Sequence, residues 1–418
     1  MSLQRVLGTS LLLLLCTGVL FAQDGVSAPE GPPLTLRAAA DEALARNPEL
    51  AALRQAYEAA RAAPETERYL MPPMADVQIW GWPVTTLNPA RTDMYMFMAE
   101  QELPGRGKRE ARVAVAEREA EMSRQQIAVR ANQIFTDVRE AYVDLALARD
   151  VAAVFRGQTT VLEGVTETAT LRYAAGEGPQ SQTVASVVEL ARLERDLIAA
   201  GRREQTAEAR LNTLLGRPVA QAVEPLAPVS GTVSAADAER LALARHPEVA
   251  MVAAEVAREE AELERLRRER RPDFVLGGGY MLQPGMAGAW TARAGITWPN
   301  APWSRGGVNA AIELQARRLE AARARQEVVA AQLRQVVREA VVQLDAAERE
   351  LRLIESTVRP QIEHAFELTR VGYAAGEGSF TEMLDARRTL LSVELECLDA
   401  RANVARARAN LDIVAGAL

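Results

Sequence analysis

The chain repeats itself at a spacing of about 200 residues. Arg172-Tyr173-Ala174-Ala175-Gly176-Glu177-Gly178 returns 200 positions on as Gly372-Tyr373-Ala374-Ala375-Gly376-Glu377-Gly378. Arg46-Asn47-Pro48-Glu49-Leu50 returns as Arg245-His246-Pro247-Glu248-Val249, and Val138-Arg139-Glu140-Ala141 as Val337-Arg338-Glu339-Ala340, both shifted by 199. Arg106-Gly107 returns as Arg305-Gly306 at the same shift. The landmarks keep one order and one spacing, so the chain is a duplicated unit. Solenoid repeats run to roughly 20–50 residues, so each copy here is a large structural half. The expected division is a first repeat over 34–218, a linker over 219–233 and a second repeat over 234–418.

The start of the chain reads as an export signal. Arg5 precedes an apolar run from Leu11 to Phe21, and Ala22-Gln23-Asp24-Gly25 follows. The run is shorter than the roughly 20 residues that span a membrane, so residues 1–22 are expected to be a signal peptide cleaved after Ala22. Lipidation at Cys16 is the alternative, although Leu15 stands where a small residue is usual. Residues 23–33 read as an irregular leader.

After cleavage Cys397 is the one cysteine left of two, so no intrachain disulfide is expected. It reads as a small apolar side chain on a helix. The two histidines, His246 and His364, lie far apart and do not form a metal-ligand spacing. The net charge of −7 argues against nucleic acid as a partner. There is no Ser/His/Asp set, no phosphate loop and no metal cluster, so neither an enzyme nor a cofactor is expected.

Each copy has the same order of textures. Thr35 is a plausible cap for a helix over Leu36–Arg46, which Asn47-Pro48 ends. A second helix is expected over Pro48–Leu70. Alternating apolar residues from Met74 to Leu103, broken by Pro83 to Pro89, predict a hairpin of two strands of about ten residues each. A proline-free rod follows over Lys108–Tyr173, about 100 Å long at a rise of ~1.5 Å per residue. A break over residues 172–179 leads to a helix over Gln180–Leu215. In the second copy the helices are expected over Ser234–Arg245 and Pro247–Arg271, and the hairpin over 273–298. A rod follows over Gly307–Tyr373 with a bend at Pro360. After a tip over 370–380, a last helix covers Phe380–Val414.

No stretch past residue 30 is apolar enough for a membrane helix, but strands of about ten residues cross an outer membrane when tilted. A sheet in lipid cannot leave open edges. Four strands are too few to close, since barrels need about eight or more. Several chains must then share one barrel; geometry alone does not choose between a dimer and a trimer. Two surface hairpins on a soluble helical bundle are the competing reading.

This layout resembles the TolC-type outer-membrane efflux family over essentially the whole mature chain. Two local signatures carry the match: Gly-Tyr-Ala-Ala-Gly followed by Thr381-Glu382-Met383-Leu384-Asp385-Ala386-Arg387-Arg388-Thr389-Leu390, and Leu103-Pro104-Gly105-Arg106-Gly107-Lys108 after the second strand. The latter, with the Met-rich strand before it, resembles the heavy-metal branch, which serves copper/silver and cobalt–zinc–cadmium exporters. The resemblance implies a mainly α fold with a small transmembrane β part. Three protomers would share a 12-stranded β-barrel, continued by a periplasmic α-helical barrel. It also implies an outer-membrane homotrimer with most of its mass in the periplasm. Such a duct is passive, driven by an inner-membrane pump of the RND type through a periplasmic adaptor. Drug efflux or type I protein secretion is the alternative cargo, and a periplasmic coiled-coil protein without a pore the alternative class.

The resemblance further implies roles for residues. Arg172, Tyr173, Gly176, Arg370, Tyr373 and Gly376 would meet the adaptor at the tip. Glu382 and Asp385, three apart on one helix face, would form a ring of carboxylates narrowing the pore. Gln182 and Ala185 hold the matching places in the first copy, so the ring would be lopsided. Opening would need the rods to untwist, through lost contacts of Arg387 or Arg388. Met94, Met96 and Met98 alternate and share one strand face; facing the lumen they could touch soft Cu(I) or Ag(I), and otherwise they pack or face lipid.

Overall fold

The computed structural model describes residues 32–85, 88, 91–229 and 233–416. The expected signal peptide, most of the leader and part of the first hairpin loop lie outside the described residues. Each repeat consists of a short helix, a longer helix, two strands, a rod and a return helix. The first is α1 (Leu36–Arg46), α2 (Pro48–Arg68), β1 (Met74–Trp80), β2 (Met94–Leu103), α3 (Lys108–Ala174) and α4 (Gln180–Leu215). The second is α5 (Ala238–Arg245), α6 (Pro247–Arg268), β3 (Asp273–Leu282), β4 (Ala289–Thr297), α7 (Arg305–Leu353), α8 (Arg359–Ala375) and α9 (Phe380–Val414).

The helix starts follow from capping chemistry. Thr35 Oγ1 accepts the Ala38 N–H at 3.1 Å, and Asn47 Oδ1 accepts those of Glu49 and Leu50 at 2.8 and 3.1 Å. In the second repeat His246 takes the place of Asn47: its Nδ1 accepts the Glu248 N–H at 3.3 Å. Burial pushes the His246 pKa down, which keeps the ring neutral and its lone pair available. Pro48 and Pro247 each sit in the first turn, where the missing N–H costs nothing.

α3 is one uninterrupted helix of 67 residues, about 100 Å long. α2 lies along its first half, where Arg130 Nε meets Glu49 at 2.7 Å. α4 lies along its second half, where Arg149 meets Glu208 at 3.2 Å. α6 packs against both α3 and α7, and α9 returns along α7, α8 and α3. The core is accordingly a line of clusters rather than a sphere. One, near the middle, holds Ala43, Leu50, Val138, Tyr142, Leu145 and Leu211. Another, towards the tip, holds Phe155, Leu162, Leu193, Phe366, Met383 and Leu390. Alanine recurs in these seams because a small side chain lets two helix backbones approach closely.

Four expectations need correction. The first strand has seven residues, not ten, because Gly81 at φ 69° turns the chain after Trp80. The helix expected from Ser234 begins at Ala238, since residues 235–237 form a turn. Pro360 lies next to a π-helical turn, Ile354–Val358, which separates α7 from α8. A proline in a helix removes one i→i−4 bond and crowds the preceding turn; widening that turn accommodates the ring without ending the rod, and the Arg359 N–H reaches the Ile354 carbonyl. The segment after α4 is no free linker. Leu34 pairs with Leu226, Val223 is buried, and the Tyr142 hydroxyl lies 2.6 Å from the carbonyls of Leu34 and Ala227. Burial raises the Tyr142 pKa to about 12, so this pin stays protonated.

The four strands form one antiparallel sheet in the order β1-β2-β3-β4, with β1 and β4 at its edges. The register separates two faces. One presents Val77, Phe97, Tyr280 and Trp290 in a single row, with Ile79, Leu276, Phe274 and Ile296 in the rows beside it. These are large apolar side chains, and all but the half-buried Tyr280 are exposed; Trp290 is 84% and Ile296 62% accessible. The other face presents Asp76, Gln78, Glu100, Glu102, Thr291 and Arg293. No helix among the described residues is long and apolar enough to cross a membrane.

The sheet meets the rods at a buried ion-pair clasp. Lys108, 1% exposed, lies 2.7 Å from Asp273 Oδ2 and 3.1 Å from Glu269. Asp273 Oδ1 accepts the Gly105 N–H at 2.7 Å. A Cβ on Gly105 would stand 2.5 Å from the Pro272 carbonyl oxygen, and Gly107 turns the chain at φ 84°. The Pro-Gly-Arg-Gly-Lys signature is thus the joint between the two repeats.

With lipid against the apolar face, Phe97→Arg should destabilise the barrel by about 2–4 kcal/mol, while Gln78→Arg on the opposite face should cost far less. Heat-modified mobility of the two variants in mild detergent compares them. Lys108→Met leaves Asp273 without its ion-pair partner, while Glu269 keeps Arg265 and Arg112, and should cost roughly 3 kcal/mol, read as a lowered unfolding midpoint in detergent.

Candidate functional site

The rods end in two turns built alike. Gly176 and Gly376 stand at φ 76° and 81°, the left-handed conformation that a helix C-terminus needs and that glycine adopts without strain. The Glu177 N–H then reaches back to the Arg172 carbonyl at 2.8 Å, and that of Glu377 to the Gly372 carbonyl at 2.9 Å.

Identical sequence does not give identical surroundings. Tyr373 is 5% exposed, whereas Tyr173 is 46% exposed. The Tyr373 ring packs on Phe380 with centroids 5.4 Å apart, and its hydroxyl donates to Gln182 Oε1 at 3.1 Å. The Arg172 guanidinium lies 4.9 Å from the Tyr373 ring centre and donates to the Tyr373 carbonyl at 2.9 Å. The cause is in the sequence: Phe380 has Gln180 as its counterpart, so the first copy has no ring for Tyr173 to cover. Of the six residues expected to meet a partner, Tyr373 therefore faces into its own chain. Arg172 ties the two tips together. Arg370 pairs with Glu367 at 2.9 Å on the helix surface.

Glu382 and Asp385 both lie exposed in the first turns of α9. Asp385 meets Arg388 at 3.0 Å. Behind them runs a network that the sequence reading did not find. Glu189 on α4 accepts from Arg388 Nε at 3.0 Å and Nη2 at 2.7 Å, and from Arg387 Nη2 at 3.2 Å. Arg387 is 2% exposed and also reaches Gln158 on α3 at 3.4 Å; Gln158 donates to Glu394 at 3.0 Å. One chain of polar contacts thus joins α3, α4 and α9. The hydrogen bond from Arg388 holds the Glu189 carboxyl below its ordinary range, while burial pushes Glu394 up. A signal was present. At these places the repeats diverge, Arg387 and Arg388 opposite Val187 and Val188, and Glu189 opposite Thr389.

Met94, Met96 and Met98 lie on the polar face of the sheet, in register with Trp80, Gln78 and Asp76. Among the described residues, no group of His, Cys, Asp and Glu is arranged to hold a metal ion.

The family model described as outer membrane efflux protein matches residues 39–217 and 239–417, once per repeat. The cobalt-zinc-cadmium resistance protein CzcC of Cupriavidus metallidurans is 27% identical over 318 residues, which is 74% of each chain. A membrane protein from Pseudomonas aeruginosa superposes with a TM-score of 0.77 at 20% identity, covering 91% of this chain and 92% of the other. CusC superposes with a TM-score of 0.74 at 17% identity over 91% and 92% of the two chains.

Because the Glu189 carboxyl titrates below its unfolded value, its contribution is complete above the unfolded pKa and is lost as pH falls through the folded one. Hydrogen exchange in α9 should therefore quicken as pH drops below about 4.5, after correction for the intrinsic rate. Glu189→Gln should give fast exchange at neutral pH and no further acid step.

Proposed function

The chain belongs to the outer membrane efflux protein family, and from that premise we propose that it is the exit duct through which a tripartite pump expels heavy-metal cations. Family membership places it in the outer membrane as a channel with a large periplasmic helical part, and not as an enzyme. The metal cargo is the finer reading. It is supported by the likeness to a cobalt-zinc-cadmium resistance protein over 74% of both chains.

The observation that carries the duct is the sheet, with exposed apolar side chains on one face, polar ones on the other and unpaired edges at β1 and β4. Three copies joined edge to edge close a barrel of about 12 strands, within the range that stable barrels adopt. The rods then continue the lumen into the periplasm. An inner-membrane pump of the RND type supplies the energy, and a periplasmic adaptor carries cargo to the tip. Tyr173, Arg370 and the turns at Gly176 and Gly376 form the surface offered to that adaptor. Arg172 and Tyr373 support it from behind.

At the closed end, Glu382 and Asp385 from three chains form a ring of carboxylates. Such a ring draws cations and repels anions. The Glu189 network sets how firmly α9 is held against α3 and α4, so its release is the step that lets the ring widen. Arg388 serves both parts, because it pairs with Asp385 and with Glu189.

Two measurements test this. A strain lacking the gene should lose tolerance to at least one of copper, silver, zinc, cobalt and cadmium; unchanged tolerance to all five removes the metal reading. In planar bilayers Asp385→Asn should raise conductance or weaken cation block severalfold, and an unaltered trace removes Asp385 from the gate.

A further inference from the structure

The polar face of the sheet carries a cluster of methionines. Met74, Met94, Met96, Met98 and Met281 all lie on it, five of the eleven methionines in the chain. Apolar residues that serve lipid contact belong on the other face, where Val77, Phe97, Leu276 and Ile296 stand. Met96 on β2 pairs directly with Met281 on β3, so two thioethers from the two repeats face each other at cross-strand distance. Met98 lies flat across β3: a Cβ on Gly279 would overlap its sulfur. Met94 is one rung above, opposite Trp80. The charged neighbours are acidic, Asp76 beside Met98 and Glu100 one rung below, with Arg293 as the counter-charge 3.1 Å from Glu100.

We propose that Met94, Met96, Met98 and Met281 form a lumenal thioether site for a soft monovalent cation, Cu(I) or Ag(I). This rests on the reading of the sheet as part of an export duct. Thioethers are soft, neutral ligands that favour Cu(I) and Ag(I) over Zn(II) or Co(II). They carry no proton to displace, and with so few ligands they bind weakly enough to release. Weak, repeated sites are what conduction requires, and joined protomers repeat the set around the lumen. The acidic residues concentrate cations of any kind; the methionines discriminate among them. The proposal thus sets this chain apart from a duct for divalent cobalt, zinc and cadmium alone.

The test uses the exported protein without residues 1–22, in detergent, with Cys397→Ser to remove its one thiol, and Ag(I) nitrate as a redox-inert probe. Equilibrium dialysis with metal analysis should show silver binding. Replacing Met94, Met96, Met98 and Met281 together by leucine should weaken it at least tenfold, with weak Zn(II) binding unchanged. Replacing Met251 and Met383, which lie on helices, should leave silver binding as it was. Equal silver binding in the fourfold variant, or a parallel loss of silver and zinc, overturns the site. Conductance of the unsubstituted protein tests the duct separately: its absence sinks that reading, whereas undiminished silver binding by the fourfold variant of a conducting protein sinks only this one.

Discussion

Everything in this molecule depends on where the backbone groups at two strand edges find partners. Among the described residues β1 and β4 each have one unpaired side. In water such edges are tolerated, because solvent satisfies the N–H and C=O groups. Against hydrocarbon each unsatisfied group costs several kcal/mol, and the exposed Val77, Phe97 and Trp290, in one row of the sheet, mark that face for hydrocarbon. The edges must therefore pair with each other in a neighbouring copy. Membrane insertion and oligomerisation are one requirement, not two.

The rods follow from that requirement. Strands closed into a shared barrel need supports that leave the membrane in parallel, and each repeat supplies one through its strand-to-helix joint. The first joint is where the two repeats meet. The single lysine is buried there between carboxylates contributed by the other repeat, so the halves are locked just below the sheet. At the far end the lock is different in kind. Glu189, Arg387 and Arg388 form a network only partly shielded from solvent, and Arg387 Nε has no partner in it. The duplication supplies the scaffold, and divergence between copies supplies the asymmetry: Phe380 against Gln180 buries one tyrosine and exposes the other.

Much of this was legible in the residues. Asn47-Pro48 and His246-Pro247 mark helix boundaries because proline and a side-chain acceptor act locally. The glycines of the two tips announce left-handed turns for the same reason. Alternation announced the strands, and the two faces of the sheet follow once the pairing register is known. What stayed hidden depends on contacts far apart in sequence. Nothing near Lys108 says that Asp273 will enclose it, and the divergence of the repeats at Arg387 and Glu189 marks both residues without saying that they meet. The short β1 also escaped notice, since its end is set by the backbone at Gly81 rather than by the apolar pattern. The π-helical turn at Ile354–Val358 was half visible: Pro360 signalled a perturbation, but its form depends on how α9 packs alongside.

Edge pairing between copies is the claim to measure most directly. In a Cys397→Ser background, cysteine can be placed at Val77 on β1 together with one of Trp290, Ala292 or Ala294 on β4, and the protein oxidised in outer-membrane vesicles. Closure by three protomers predicts that at least one pair yields covalent dimer and trimer bands, with nothing larger, on denaturing gels. Bands that stay monomeric for every pair, or a ladder that continues past three, would contradict it.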